Sequence, residues 1–404
     1  MPSLVAEAGG ALKPSLRTWK ESQNKHPMKK AFKIIAWILG ILILALAIAW
    51  FGFLKPIPPP ISPADRAAIN LMPLPAELKL GKGAFVLDEN LSHQFSGESG
   101  PRLERAVERF YSKLSGRTGI TFGGSHEATL NLHCQEYTMD YPSLEDDESY
   151  SIRVNGNGIE VEAASSTGIY YALESLLQLI RQKEGRWEIP ALSLTDQARY
   201  PWRGLMIDAC RHWIPKDAIL RNLEAMGSLK MNVFHWHLTE YQGFRVESTT
   251  FPLLHELGSG GLFYTQEEIK EVIEYAADRG IRVIPEFDLP GHSTSWFVGY
   301  PELASAPGPY ILDTIFGVLL PVMDPAREEV YGFLDQFFGE MAKLFPDPYI
   351  HIGGDEVNAT HWDQNPDILS FMESRGLEDA HALQAYFNLR LQKILAGHGK
   401  KMMG

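Results

Sequence analysis

The chain has 404 residues, 45% of them hydrophobic and 22% charged, which is enough apolar material for a large folded core and rules out a disordered tail. Its net charge of −13 argues against nucleic acid, because binding to a phosphate backbone rests on Lys and Arg neutralising charge. Two cysteines, Cys134 and Cys210, stand far apart without ligand-like spacing to histidine and are expected to be free thiols.

Residues 1–33 read as a cytoplasmic tail or a signal-type n-region, with Met28 as an alternative start. From Ile34 to Leu54 no charge interrupts the apolar run. As a helix it would measure about 31 Å at about 1.5 Å per residue, the thickness of a hydrocarbon core. Lys25, Lys29, Lys30 and Lys33 precede it, so an anchor would leave the start of the chain in the cytoplasm and the bulk outside. Ala45-Leu-Ala47 and Ala47-Ile-Ala49 have the form of cleavage sites, which keeps a secreted product with a removed signal open as the alternative. The proline-rich residues 55–64 then form an extended spacer.

Residues 65–195 predict a small α+β unit. Ala84 to Asp88 is a strand, and Leu103, Val107, Phe110, Tyr111 and Leu114 fall at helical spacing within Pro101 to Ser115. Ala128 to Cys134 and Tyr150 to Ala163 alternate as strands, the latter folded back at Asn155-Gly-Asn-Gly158. Gly168 to Arg181 closes the unit as an amphipathic helix. No catalytic cluster falls here.

From Trp202 the rhythm becomes strand, helix, strand, as in a parallel sheet or barrel. Strands are expected at Arg203 to Ala209, Met231 to Leu238, Ile281 to Leu289 and Tyr349 to Ile352, with a fifth beginning at Lys400. Helices fall at Lys216 to Leu229, Thr265 to Arg279 (opened by a Thr265/Glu268 capping box), Glu328 to Leu344 and around Leu383 to Leu395. Successive strands deliver Asp208, Glu240, Asp288 with His292, and Asp355 with Glu356 at or near their carboxyl ends. In a barrel those ends converge on one mouth. Carboxylates, the aromatic residues Trp213, Trp236 and Trp296, and Arg203 as a fork of donors suit a neutral polyol such as a sugar. Arg203 has a plainer reading as an exposed residue at the start of a strand, and Asp355-Glu356 as the acidic first turn of a helix. His235 and His237 share one strand face, and with His292 or His351 they leave open a zinc hydrolase; the alternative is inward-facing imidazoles hydrogen-bonded in the barrel core.

Four segments carry a resemblance: Arg203-Gly-Leu-Met-Ile-Asp208 with Arg211-His212, Asn232-Val-Phe-His-Trp-His-Leu-Thr239, Pro285-Glu-Phe-Asp-Leu-Pro-Gly-His292, and His351-Ile-Gly-Gly-Asp-Glu356. In order and spacing they resemble the motifs of the family 20 β-N-acetylhexosaminidases, and residues 65–195 resemble that family's small N-terminal domain. The resemblance implies a (β/α)8 TIM-type barrel over residues 196–404, incomplete here at about five strands, with no metal or cofactor. It implies a retaining hydrolase that removes terminal β-linked N-acetylglucosamine or N-acetylgalactosamine from glycans, glycoconjugates or chitooligosaccharides, with the substrate's acetamido oxygen as nucleophile. Glu356 would be the general acid and then base, and Asp355 would orient the acetamido group and offset the positive charge developing on it. Arg203 would hold remote sugar hydroxyls, and Asp288 with His292 would form a polar relay beside the acid. Glu240 stands where the family usually has aspartate. Because the later strands are not in the sequence, the 404-residue chain alone is expected to have little or no activity, and a catalytically inactive carbohydrate-binding or scaffold fragment is the alternative.

Overall fold

The computed structural model describes residues 37–42, 61–123, 128–138 and 141–404. Residues 37–42 are helical and belong to a first unit, residues 1–59. The rest of the expected 34–54 span lies outside the described residues, and no helix among those described is long and apolar enough to cross a membrane. Residues 60–404 form the second unit.

That unit opens with helix α1 (Pro63–Ala68) and continues through strands β1 (Glu77–Val86) and β2 (His93–Gly97), helix α2 (Pro101–Thr118), strands β3 (Leu130–Glu136), β4 (Tyr150–Asn155) and β5 (Gly158–Ser165), helix α3 (Ser166–Leu179), and strands β6 (Arg181–Lys183) and β7 (Arg186–Asp196). The sheet order is β1-β7-β4-β5-β3-β2, with β6 paired to β7. The expected hairpin joins β4 to β5, where the Asn155 side chain accepts from the backbone N–H groups of Asn157 and Gly158. Strand β7 lies beyond the last element expected from sequence in this unit and contains Pro190. Pro190 faces Ala84 in a non-hydrogen-bonded pair, so its nitrogen points away from β1, to the side where the β4 and β6 pairings have already ended at Leu192 and Glu188, and no ladder bond is lost. Helix α2 starts on Pro101 and stops at the left-handed Gly119, and it buries Leu103, Val107, Phe110 and Leu114. Helix α3 is buried on nearly all sides because it packs against β4 and β5 and also against the first barrel helix.

The barrel portion runs β8 (Gly204–Asp208), α4 (Lys216–Ser228), β9 (Val233–Glu240), β10 (Gly243–Phe244), α5 (Leu253–Gly258), α6 (Gln266–Ala277), β11 (Arg282–Phe287), α7 (Thr294–Gly299), α8 (Glu328–Leu344), β12 (Tyr349–His351), α9 (Thr360–Asp363), α10 (Pro366–Arg375), α11 (Ala380–Gly397) and β13 (Lys401–Met403). Strands β8-β9-β11-β12-β13 are parallel neighbours in that order, and β10 folds back antiparallel on β9. The Thr265/Glu268 capping box at the start of α6 is present as read from sequence. Between strands and helices lies one core containing Phe234, Trp236, Phe287, Trp296, Phe337 and Ile350. Trp236 and Trp296 are therefore packing residues with no exposed surface, a correction to their expected place in a sugar-binding mouth; Trp213 is half-buried against Tyr264.

Polar contacts tie the α+β layer to the barrel at the amino ends of the strands. Lys230, buried in a left-handed conformation, reaches Asp196 Oδ2 at 2.9 Å and the Tyr150 hydroxyl at 2.6 Å. On α2, Arg105 donates to Asp278 at 2.6 and 2.8 Å. The Lys230–Asp196 pair is buried and adds little over well-packed apolar groups, but the cation needs its partner across the seam, which fixes how the layers register; the half-exposed Arg105 pair adds less.

Candidate active site

The carboxyl ends of β8, β9, β11 and β12 bring Asp208, Glu240, Asp288, His292, Asp355 and Glu356 to one mouth. At the end of β8, Asp208 accepts from the backbone N–H groups of Cys210 and Arg211 at 2.8 and 3.0 Å and from the Arg211 guanidinium at 2.8 Å. Burial alone would raise this carboxyl, but those donors and the nearby His237 hold it below its ordinary range. Arg211 extends its other terminal nitrogen to Glu240 Oε1.

Glu240 is fully buried at the end of β9, and its second oxygen accepts from the Tyr241 N–H at 2.7 Å. His292 Nδ1 lies 2.7 Å from Glu240 Oε1, and His292 Nε2 lies 3.4 Å from Glu356 Oε2. Burial would lower the His292 imidazole; the Glu240 carboxylate outweighs it, aided by the charge of Asp355, and holds the imidazole above its usual value. The expected relay of Asp288 and His292 is thus centred on Glu240, His292 and Glu356. Glu240 reaches His292 with its side chain bent back onto the Tyr241 N–H.

Asp288 has a separate place. Its N–H donates to Thr239 Oγ1 at 2.9 Å, and its carboxylate accepts from the Gly354 N–H at 3.1 Å, so it braces the turn that carries the two exposed acids. That turn runs through Gly353 and Gly354 at φ 61° and 91° to Glu356 at φ 50°, and the side chain of Gln384 on α11 holds the Gly354 carbonyl at 2.6 Å. Glu356 is a non-glycine residue in left-handed backbone, a conformation that persists only where its surroundings impose it.

Burial pushes the Asp288 carboxyl up to about 8, with Asp355 and Glu286 adding to the rise against the opposing His292 charge and Gly354 N–H. Between the ordinary carboxylate value and about 8 the unfolded chain has lost this proton and the folded chain keeps it, so folding stability falls as pH rises through that window. Asp288→Asn removes the slope. In thermal melts the variant should gain on the parent at pH 8 and not at pH 4; the same difference at both pH values would overturn the assignment.

Arg203 is not part of the mouth. It lies just before β8, at the opposite end of the strand, where Nε donates to the Lys230 carbonyl at 2.7 Å, one terminal nitrogen to the Tyr200 carbonyl at 2.7 Å, and the other to Glu148 and the Tyr171 hydroxyl at 2.9 and 3.1 Å. Its donors are spent on the seam with the α+β layer. The guanidinium at the mouth is that of Arg211, in the same motif, and strand direction is the signal that separates the two.

His235 and His237 face the barrel interior around Glu286: His235 Nε2 is 2.5 Å from Glu286 Oε2, His237 Nδ1 is 3.7 Å from the same atom, and His351 Nδ1 is 3.5 Å from Oε1. Burial would raise Glu286, but these imidazoles hold it well below the ordinary range. A cation could approach the ligand atoms of His235, Glu286 and His351, which lie within 4.8 Å of one another. Yet His351 Nδ1 already accepts from the Gly353 N–H at 3.0 Å, and His237 Nε2 is turned to the Thr239 carbonyl at 2.9 Å. The arrangement is a carboxylate held among imidazoles.

Parallel strands alternating with helices, with acids and a histidine gathered at the strand exits, define a TIM-barrel-type α/β enzyme fold preceded by a small domain. Residues 200–404 match the family model described as "Glycosyl hydrolase family 20, catalytic domain", and residues 68–197 match "Glycosyl hydrolase family 20, domain 2". The chain belongs to glycosyl hydrolase family 20. It is 34% identical over 379 residues to the β-hexosaminidase subunit beta of Mus musculus, covering 88% of this chain and 68% of that protein. To a β-hexosaminidase of Porphyromonas gingivalis it is 32% identical, covering 85% of this chain and 46% of that protein. The solved chitobiase of Flavobacterium johnsoniae is similar with a TM-score of 0.80 and 40% identity, over 84% of this chain and 52% of that one. A Vibrio harveyi exo β-N-acetylglucosaminidase, solved with N-acetylglucosamine, has a TM-score of 0.71 and 30% identity over 83% and 54% of the two chains. The chain thus spans from about half to two thirds of the relatives it matches.

Proposed function

We propose that this chain supplies the acid-bearing part of a (β/α)8 hydrolase that removes terminal β-linked N-acetylglucosamine or N-acetylgalactosamine with retention of configuration. The observation that carries this reading is Glu356 facing the mouth with His292 behind it and Glu240 behind His292, while Asp355 projects from the same two-glycine turn. Glu356 gives its proton to the leaving glycosidic oxygen as that bond to the anomeric carbon breaks. The acetamido oxygen of the same sugar bonds to the anomeric carbon, forming an oxazolinium intermediate, and Asp355 orients the amide and offsets its positive charge. Glu356, now ionised, takes a proton from water as the water oxygen attacks the anomeric carbon and opens the ring. Arg211, held between Asp208 and Glu240, is the guanidinium at the mouth and takes the role of holding sugar hydroxyls.

An anchor at residues 34–54, with the catalytic unit outside the cytoplasm, belongs to the same proposal. It is supported by the uncharged run and the lysines before it, and sequencing the mature amino terminus distinguishes it from a removed signal.

The complete protein should hydrolyse 4-nitrophenyl N-acetyl-β-glucosaminide and the galacto analogue. The corresponding β-glucoside has no acetamido nucleophile and should react at least about 10³-fold more slowly, given the effective molarity of a well-placed internal group. Comparable turnover of the glucoside would rule out assistance by the substrate.

A further inference from the structure

We propose that Arg245 is a positioning residue for the mouth: its buried guanidinium sets the segment after β8 so that Arg211 is aimed across Asp208 and Glu240. The proposal rests on the reading of Arg211 as a sugar-facing group.

Arg245 directly follows β10 and is only 5% exposed. A guanidinium buried without a carboxylate is costly unless every N–H finds an acceptor. Here all the acceptors are backbone carbonyls. Nε donates to Ala209 at 3.2 Å; one terminal nitrogen donates to Ser259 at 2.6 Å and Leu262 at 2.9 Å, the other to Cys210 at 2.7 Å and Gln242 at 3.2 Å. Five donors in a planar fork thus meet five carbonyls on three separate segments. Two of those carbonyls belong to the residues immediately before Arg211. Arg245 is itself fixed by the backbone, its N–H donating to the Leu238 carbonyl and its carbonyl accepting from the Tyr264 N–H, both at 2.8 Å.

The room for this side chain comes from Gly243, where a Cβ would overlap the Arg245 guanidinium. The half-buried Trp213, two residues beyond Arg211, lies over the same cation at 5.9 Å from its ring centre. A segment without regular structure, which must carry Arg211 to one place, is therefore bound at its start by hydrogen bonds and further on by an aromatic ring. A lysine has only three donors and no planar fork, so it could satisfy part of this set but not hold all three segments together.

The test compares Arg245→Lys, Arg211→Lys and the double variant in the complete protein, reading KM and kcat for 4-nitrophenyl N-acetyl-β-glucosaminide together with thermal melting. Arg245→Lys should raise KM about tenfold with a smaller change in kcat, the lower end of the effect that residues supporting a site from behind exert on it. Because Arg245 acts through Arg211, the double variant should be no worse than Arg211→Lys alone. If Arg245→Lys fails to fold, Gly243→Ala, which displaces the same guanidinium, should give the same rise in KM. An unchanged KM with a lowered melting temperature, or losses that multiply in the double variant, would overturn the assignment. Absence of turnover by the unaltered protein would instead sink the hydrolase reading, and this assignment with it.

Discussion

Glu356→Gln in the complete protein should cut kcat for methyl N-acetyl-β-glucosaminide by about 10³-fold, within the range that general acid catalysis contributes, and should cut the release of 4-nitrophenolate much less. Glutamine keeps the shape of the side chain and its approach to His292 Nε2, so binding should change little. What it removes is the proton for the departing oxygen. An alkoxide leaves poorly without that proton, whereas 4-nitrophenolate is stable enough to leave unaided. The slower second step, in which the same carboxylate would activate water, should then limit the aryl substrate and allow the intermediate to accumulate. Equal losses on both substrates would show that Glu356 binds or shapes the mouth and is not its acid; an unchanged kcat on both would remove it from the reaction.

Much of this mouth was legible because strand direction converts positions distant in sequence into one surface. Asp208, Glu240, Asp288 and the Asp355-Glu356 pair could be gathered on paper from the alternation of strands and helices. The same rule, applied to the arginines, would have favoured Arg211 over Arg203, since one follows Asp208 at the strand's exit and the other precedes its entry. A fork of donors is common to both arginines, and strand direction separates them. The relay was harder to read: that Glu240 and not Asp288 backs His292 depends on how a buried side chain bends toward the Tyr241 N–H, and no spacing encodes it. The tryptophans show the opposite case. Trp236 lies between two inward histidines on its strand, so the period of two already placed it on the helix-facing side, where the structure buries it in the core. Strand β7 contains Pro190, whose missing N–H is tolerated because its nitrogen points away from β1, between the ends of the β4 and β6 pairings. The Arg245 network joins five carbonyls from segments that no motif relates.

Gly353→Ala should abolish turnover, by at least about 100-fold, while the neighbouring Gly354→Ala does much less. Both positions have φ in the left-handed region, so each alanine meets a backbone penalty of about 1 kcal/mol. They differ in what the new methyl group encounters. At Gly354 the nearest atoms are Ile352 Cδ1 and the Leu289 carbonyl oxygen, both 3.8 Å away, which is ordinary contact. At Gly353 the methyl would overlap the carboxylate of Asp288, which is buried, carries its own proton near neutral pH and holds the Gly354 N–H. Either Asp288 must leave its place or the turn must, and both movements displace Asp355 and Glu356 from His292. A catalytic group moved by about 1 Å can lose about 10²-fold in rate, so activity should fail well before the fold does. The cause can be separated from general strain by combining Gly353→Ala with Asp288→Ala. Removing the carboxylate should relieve the overlap and recover the melting temperature lost to the alanine, leaving activity low because the brace on Gly354 is gone. A double variant that melts as low as the sum of the two single losses would mean that the damage lies in the backbone of the turn and not in its packing against Asp288.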